Sequence, residues 1–150
     1  MPVKKTLQYL EANFKQAEEA ASHLNISFER CKDFINENEF NEEQLIEFEA
    51  LTARFARLSD LLTQKILKTI DQLDANTPGT VRDRIIRAEK NGILKDADTL
   101  LEIRNVRNTI AHEYESIDVK EMFLFVFRHS SLLTEILKNS KQYSKKFYIH

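Results

Sequence analysis

A chain of 150 residues with 42% hydrophobic and 31% charged residues has the size and balance of one ordinary domain, far from the profile of a disordered segment. Its formal net charge of −2 excludes a general attraction to nucleic acid, so any such contact has to be made by a local positive groove. Two glycines and two prolines leave little material for turns, and the wealth of Glu, Lys, Leu, Ala and Gln favours helices over sheets. The expected fold is all-α, an up-and-down bundle of about five helices with a four-helix-bundle core, forming a single domain over residues 1–150.

Apolar runs stay well short of the roughly 20 residues that span a bilayer. Met1-Pro2-Val3-Lys4-Lys5 leads directly into an amphipathic pattern without the apolar block of a signal peptide, so a soluble cytoplasmic protein is expected. Cys31 is the only cysteine, which rules out an internal disulfide and fits a reducing compartment; its helical spacing between Phe28 and Ile35 marks it as a small core residue. Charge is unevenly spread. Acids greatly outnumber Lys15, Arg30 and Lys32 between Glu11 and Glu49, whereas Lys138, Lys141, Lys145 and Lys146 make a basic tail.

Leu7, Leu10, Phe14, Ala17, Ala21, Leu24, Phe28, Cys31 and Ile35 alternate in steps of three and four, which predicts one long helix from about Thr6 to Asn36, with Asn25 as its weak point. Asn36 to Phe40 breaks the pattern. Asn41 and Gln44 have the form of a capping box, and Leu45, Phe48, Leu51, Phe55, Leu58, Leu62, Ile66, Ile70 and Leu73 predict a second helix as long as the first. The turn chemistry of Asp74 to Gly79 ends it. Thr80 is placed to cap a short helix from Val81 to Lys90, with Asp83 at its positive end and Asn91-Gly92 closing it as a left-handed cap does. Asp96 or Asp98 starts the next helix, and Asp118 with Glu121 can cap a last one reaching into the 140s. That last helix opens with Met122 to Phe127, apolar all the way round. Met122, Phe125, Val126, Leu133, Ile136 and Leu137 make its core stripe, which leaves Phe123, Leu124 and Phe127 to be covered by a second copy or by packing under the first helix.

The penultimate helix carries the chemistry. Arg104-Asn105-Val106-Arg107-Asn108-Thr109-Ile110-Ala111-His112-Glu113-Tyr114 crowds cations, amides, imidazole and phenol into three turns. Asn105, Asn108 and His112 share one face of such a helix, whereas Arg107 and His112, five apart, point in directions differing by roughly 140°. Three arrangements bring them to one phosphate: a loosened last turn, an arginine wrapped around the helix, or a second copy supplying the missing half. Imidazole is the side chain that titrates nearest neutrality and guanidinium matches two phosphoryl oxygens at once, so the pair suits proton transfer and charge stabilisation on a phosphate ester. The structural alternative pairs Arg107 with a helix-end acid such as Glu113 or Glu115 and leaves His112 to cap the last carbonyls. His129 falls on an apolar stripe and is expected as a satisfied core residue. Metal-ligand spacings, glycine-rich phosphate loops and Gly-x-Ser-x-Gly turns are all missing, so no metal and no cofactor are expected.

Arg107, His112 and Tyr114, with Asn108 following the arginine, resemble the Arg, four residues, His, any residue, Tyr motif of the HEPN superfamily, in particular HepT-like toxins and the related nucleotidyltransferase substrate-binding proteins. The resemblance extends through Glu47-Phe48-Glu49, Thr80-Val81-Arg82-Asp83 and Asn91-Gly92-Ile93, covering roughly residues 43–116. It implies a homodimeric, metal-independent endoribonuclease with Arg107 and His112 as catalytic residues and Asn108 and Arg104 in support. It further implies neutralisation by a minimal nucleotidyltransferase antitoxin that attaches AMP at Tyr114. A second group sharing the helices and much of the motif implies instead a non-catalytic nucleotide- or substrate-binding subunit of a nucleotidyltransferase, and a purely structural helical dimer is the third reading. Arg128 or the tail lysines are expected to extend the positive groove for RNA.

Overall fold

Thirty residues without glycine or proline form the first helix, α1, over Val3–Lys32. The computed structural model describes residues 3–112 and 119–148, with backbone alone for 110–112. The chain continues through α2 (Glu42–Asp60), a π-helical segment (Leu61–Ile66), α3 (Leu67–Leu73), α4 (Val81–Lys90), α5 (Ala97–His112), α6 (Val119–Ser144) and a closing 3-10 turn (Lys145–Tyr148). Counting α2, the π segment and α3 as one rod gives five helical rods, and no strand occurs among the described residues. None of the described helices is long and apolar enough to cross a membrane.

α1 begins earlier than the periodicity predicts and ends at Lys32 rather than Asn36. Its buried face is also turned. Thr6, Leu10, Asn13, Ala17, Ala20, Leu24, Ser27 and Cys31 are sealed, while Leu7, Ala21 and Phe28 are only partly so. Half of this seam is small or polar, which a search for apolar residues passes over. Small side chains let α2 come close, and Arg54 of α2 donates to the Ser27 hydroxyl at 2.7 Å and the His23 carbonyl at 3.0 Å. Asn25 is exposed and does not interrupt the helix.

Asn41 and Gln44 make the expected reciprocal cap of α2, both bonds at 2.9 Å. Thr80 and Asp83 do the same for α4. α4 closes on Gly92 at φ 78°, with the Ile93 N–H reaching back to the Ala88 carbonyl. The end of α3 uses the same device without a glycine. Asn76 N–H bonds the Asp71 carbonyl and Ala75 N–H the Gln72 carbonyl, which puts Ala75 at φ 59°. α5 is started by the Asp96 carboxylate, which accepts from the Asp98 N–H and the Thr99 hydroxyl, and the Ala97 N–H is taken by Glu89. The proposed cap at Asp118 lies outside the described residues.

The core joins α1, α2, α3, α4, α5 and α6 in one cluster. Phe123 of α6 stacks on Phe48 with ring centroids 4.6 Å apart, and Phe34 and Phe40 meet Phe48 edge-on. Phe127 stacks on Phe28 at 4.3 Å. The aromatic residues that sequence periodicity left facing outward are thus covered by the chain's own α1 and α2, and Phe123 replaces Phe125 in the core stripe. Phe125 stacks instead on His129, whose Nδ1 donates to the Phe125 carbonyl at 2.8 Å, so this histidine is satisfied as expected. At the far end of α6, Tyr143 donates to Asp74 at 2.6 Å and Lys146 pairs with the same carboxylate at 2.8 Å, fastening the C-terminal helix to the end of α3.

Ala75 occupies a backbone region that costs an L-residue with a Cβ roughly 1–2 kcal/mol, a penalty glycine avoids. Ala75→Gly is therefore expected to raise stability by about 1 kcal/mol and the melting temperature by roughly 2–4 °C for a domain of this size, measured by thermal unfolding; an unchanged or lower melting temperature would refute the strain. Cys31 is fully buried, and burial, aided by Glu47, pushes its thiol up to about 12. At pH 8 the folded protein should leave a disulfide reagent unconsumed until denaturant is added, and prompt reaction of the native protein would contradict this.

Candidate functional site

Helix α5 lies against α2 and α4, with Leu100 and Ile103 fully buried and Leu101 and Val106 packed at the edge of the core. This seating turns the polar side of the helix toward the junction of α2 with the π segment. Arg107 reaches across that junction to Asp60: its Nε lies 2.9 Å and 3.0 Å from the two carboxylate oxygens, and its Nη2 lies 2.8 Å from one of them. The side chains remain 27% and 43% exposed. Asp60 holds the proton of Arg107 more firmly than usual, chiefly through the hydrogen bond and secondarily through charge, against a desolvation penalty. Among the described residues, contacts are made only by the Nε–Nη2 edge of the guanidinium. The other edge, carrying Nη1, has no partner among the described residues, so a second planar anion has donors waiting for it.

The π segment accounts for a further contact. In a regular α-helix the Leu67 N–H would bond the Thr63 carbonyl, but here it bonds Leu62, five residues back. The Thr63 carbonyl accepts from Arg84 Nη1 of α4 instead, at 2.9 Å. Burial lowers the proton affinity of Arg84; Asp71 opposes that shift and neighbouring Arg104 adds to it. Asp71 itself is engaged directly by Arg87 at 2.6 Å and by Asn76 at 3.2 Å. Arg104 has no hydrogen bond or ion pair among the described residues, and its Nε is shut off from solvent.

Arg104 and Arg107, one turn apart, therefore sit on one side of α5, while Asn108 is exposed and makes no hydrogen bond among the described residues. The helical backbone of α5 continues to His112. Arg107 is anchored on Asp60 of α2. The side chain of His112, and all of Glu113, Tyr114 and Glu115, lie outside the described residues. Among the described residues, no three His, Cys, Asp or Glu side chains gather as a metal site.

Two members of this site were not legible in the sequence. Asp60 lies 47 positions from Arg107 on another helix, and Arg84 reads as one of three arginines on a short amphipathic segment. Lys141 pairs with Glu18 and Lys146 with Asp74, so these two charges are engaged in holding α6 in place. Arg104 precedes Arg107 by one turn of α5, and Arg84 of α4 is anchored at Thr63, three residues after the Asp60 that holds Arg107.

Comparison with known proteins gives one result with this geometry in place: a profile of HepT-like ribonucleases matches residues 24–140. No characterised protein compared with the chain is similar enough to count as a relative. The matched span takes in the last nine residues of α1 and runs nearly to the end of α6, well beyond the residues carrying the motif. The helical bundle and the profile agree that the chain belongs to the HepT-like ribonuclease family of the HEPN superfamily.

Proposed function

We propose that this single-domain protein is the toxin of a HEPN toxin–antitoxin pair, a metal-independent endoribonuclease that acts in the cytoplasm as a homodimer through Arg107 and His112. The observation that carries the reading is the Asp60–Arg107 fork, which presents a fixed guanidinium whose other edge has no partner among the described residues. RNA supplies its own nucleophile. As the 2′-oxygen attacks phosphorus, His112 takes its proton, the bond from phosphorus to the 5′-oxygen breaks, and the departing oxygen is protonated, leaving a 2′,3′-cyclic phosphate and a 5′-hydroxyl. The charge that builds on the nonbridging oxygens is met by the open edge of Arg107. Asn108 and Arg104 support the substrate.

With the helix regular to His112 and Arg107 tied to α2, one subunit has no simple way to aim both groups at one phosphate, which supports a site shared across a two-fold axis. Tyr114, two residues beyond His112, is the position at which a minimal nucleotidyltransferase antitoxin would attach AMP, adding negative charge beside the phosphate site. A non-catalytic nucleotide-binding subunit is the second reading, favoured by the net charge of −2.

Expressed alone in bacteria, the wild type should arrest growth and His112→Ala should not, with cleavage by the purified protein ending in cyclic phosphates; equal harmlessness and intact RNA would leave the binding subunit. Arg107→Ala should lower kcat by about 10²–10³, the usual cost of losing a preorganised donor to a developing oxyanion. Asp60→Asn should lower kcat about tenfold with KM less affected, since it loosens the arginine without removing it; wild-type kinetics would show that Asp60 plays no part in positioning. A one-to-one mixture of Arg107→Ala and His112→Ala subunits, refolded together, should recover about a quarter of wild-type activity, because half of the dimers regain one of two shared sites. Absence of any recovery would place both groups in one subunit.

A further inference from the structure

Four arginines, Arg84 and Arg87 of α4 and Arg104 and Arg107 of α5, lie where these helices close on the second long helix, and among the described residues two of them have a carboxylate in direct contact. Arg107 has Asp60 and Arg87 has Asp71. Arg84 is held by a backbone carbonyl, which fixes its position without cancelling its charge. Arg104 has a buried Nε with nothing to accept its hydrogen and no hydrogen bond elsewhere among the described residues. Arg104 lies close enough for its charge to disfavour that of Arg84. Asp71 also acts on Arg84 but is itself paired with Arg87, so a fold that brings these guanidinium groups together, partly out of water, holds more cation than anion there. The chain as a whole is negative, so this is a local feature and not part of a broad basic surface.

We propose that Arg84 and Arg104 form a second phosphate subsite, which grips the RNA backbone next to the phosphate held by Arg107; this rests on the ribonuclease reading proposed for the chain. Arg104 lies three residues before Arg107 on the same regular helix, about 4.5 Å along its axis. The two long side chains leave one helix a turn apart, so a strand that meets Arg107 runs past Arg104. Guanidinium forks match phosphodiester oxygens in pairs and hold their charge at any physiological pH. The subsite makes the enzyme selective for chains with a phosphate beside the scissile one, over a dinucleoside monophosphate that has only the scissile one.

The test uses the full-length dimer and a 2′-O-methyl RNA tetranucleotide, which lacks the nucleophile. Arg84→Gln/Arg104→Gln should bind it at least tenfold more weakly, and the slope of log affinity against log salt should fall by about 0.7 for each phosphate no longer neutralised. In the wild type, the Arg104 Nε–H resonance should move on addition of the same tetranucleotide, an outcome that does not depend on the variant folding. With cleavable substrates, the preference in kcat/KM for a tetranucleotide over a dinucleoside monophosphate should drop about tenfold in the double variant. Equal affinity and salt slope, or an unmoved Arg104 resonance at saturation, would overturn the subsite even if RNA is cleaved. Tighter binding of a polyglutamate peptide than of RNA, abolished in the double variant, would also overturn it and assign the pair to an acidic protein. Loss of tetranucleotide binding in the double variant, in a protein that cuts no RNA, would support the subsite and remove the nuclease.

Discussion

The fork between Asp60 and Arg107 joins two helices at the point where the second long rod changes from α to π geometry, and the rest of the site is arranged around it. A long arginine on a helix surface samples many rotamers, and each is a different place for its charge. Three hydrogen bonds from one edge of the guanidinium select one of them. Because both side chains are partly exposed, the pair contributes little to folding stability. What it does is orient the guanidinium, holding a long side chain in one rotamer.

The π segment is a second constraint that serves the same place. One widened turn shifts the register of α3 relative to α2, and frees a carbonyl from the helix's own ladder. The displaced acceptor is Thr63, and the donor that takes it is Arg84. Asp60 just before the turn and Thr63 within it therefore hold one cation from α5 and one from α4. A regular helix would keep the Thr63 carbonyl for Leu67 and leave Arg84 without that anchor.

Charge is used sparingly in this molecule. Two lysines at the end of the chain meet carboxylates, Lys141 with Glu18 of α1 and Lys146 with Asp74. These contacts fix α6 against the rest of the bundle. Beside the Asp60–Arg107 pair, Arg84 and Arg104 have no ion pair among the described residues, so positive charge there is set by local geometry rather than by a general field.

Local signals in the sequence were enough for the all-helical class, the reciprocal caps at Asn41 and Thr80, the glycine stop at Gly92 and the burial of Cys31, because each depends on residues within one or two helical turns. The three consecutive steps of four from Leu58 to Ile70 even carry a trace of the widened turn. The motif around Arg107 was equally visible, and it led to the family. Packing decided which side of α1 is buried, since Asn13, Ser27 and Ala20 are recognisable as interior only when α2 lies on them. Packing also decided that Phe123 and Phe127 face the chain's own aromatic residues. Asp60 and Arg84 acquire their roles only when distant helices meet, because a salt bridge spanning 47 positions and a bond to a displaced carbonyl leave no periodicity to read.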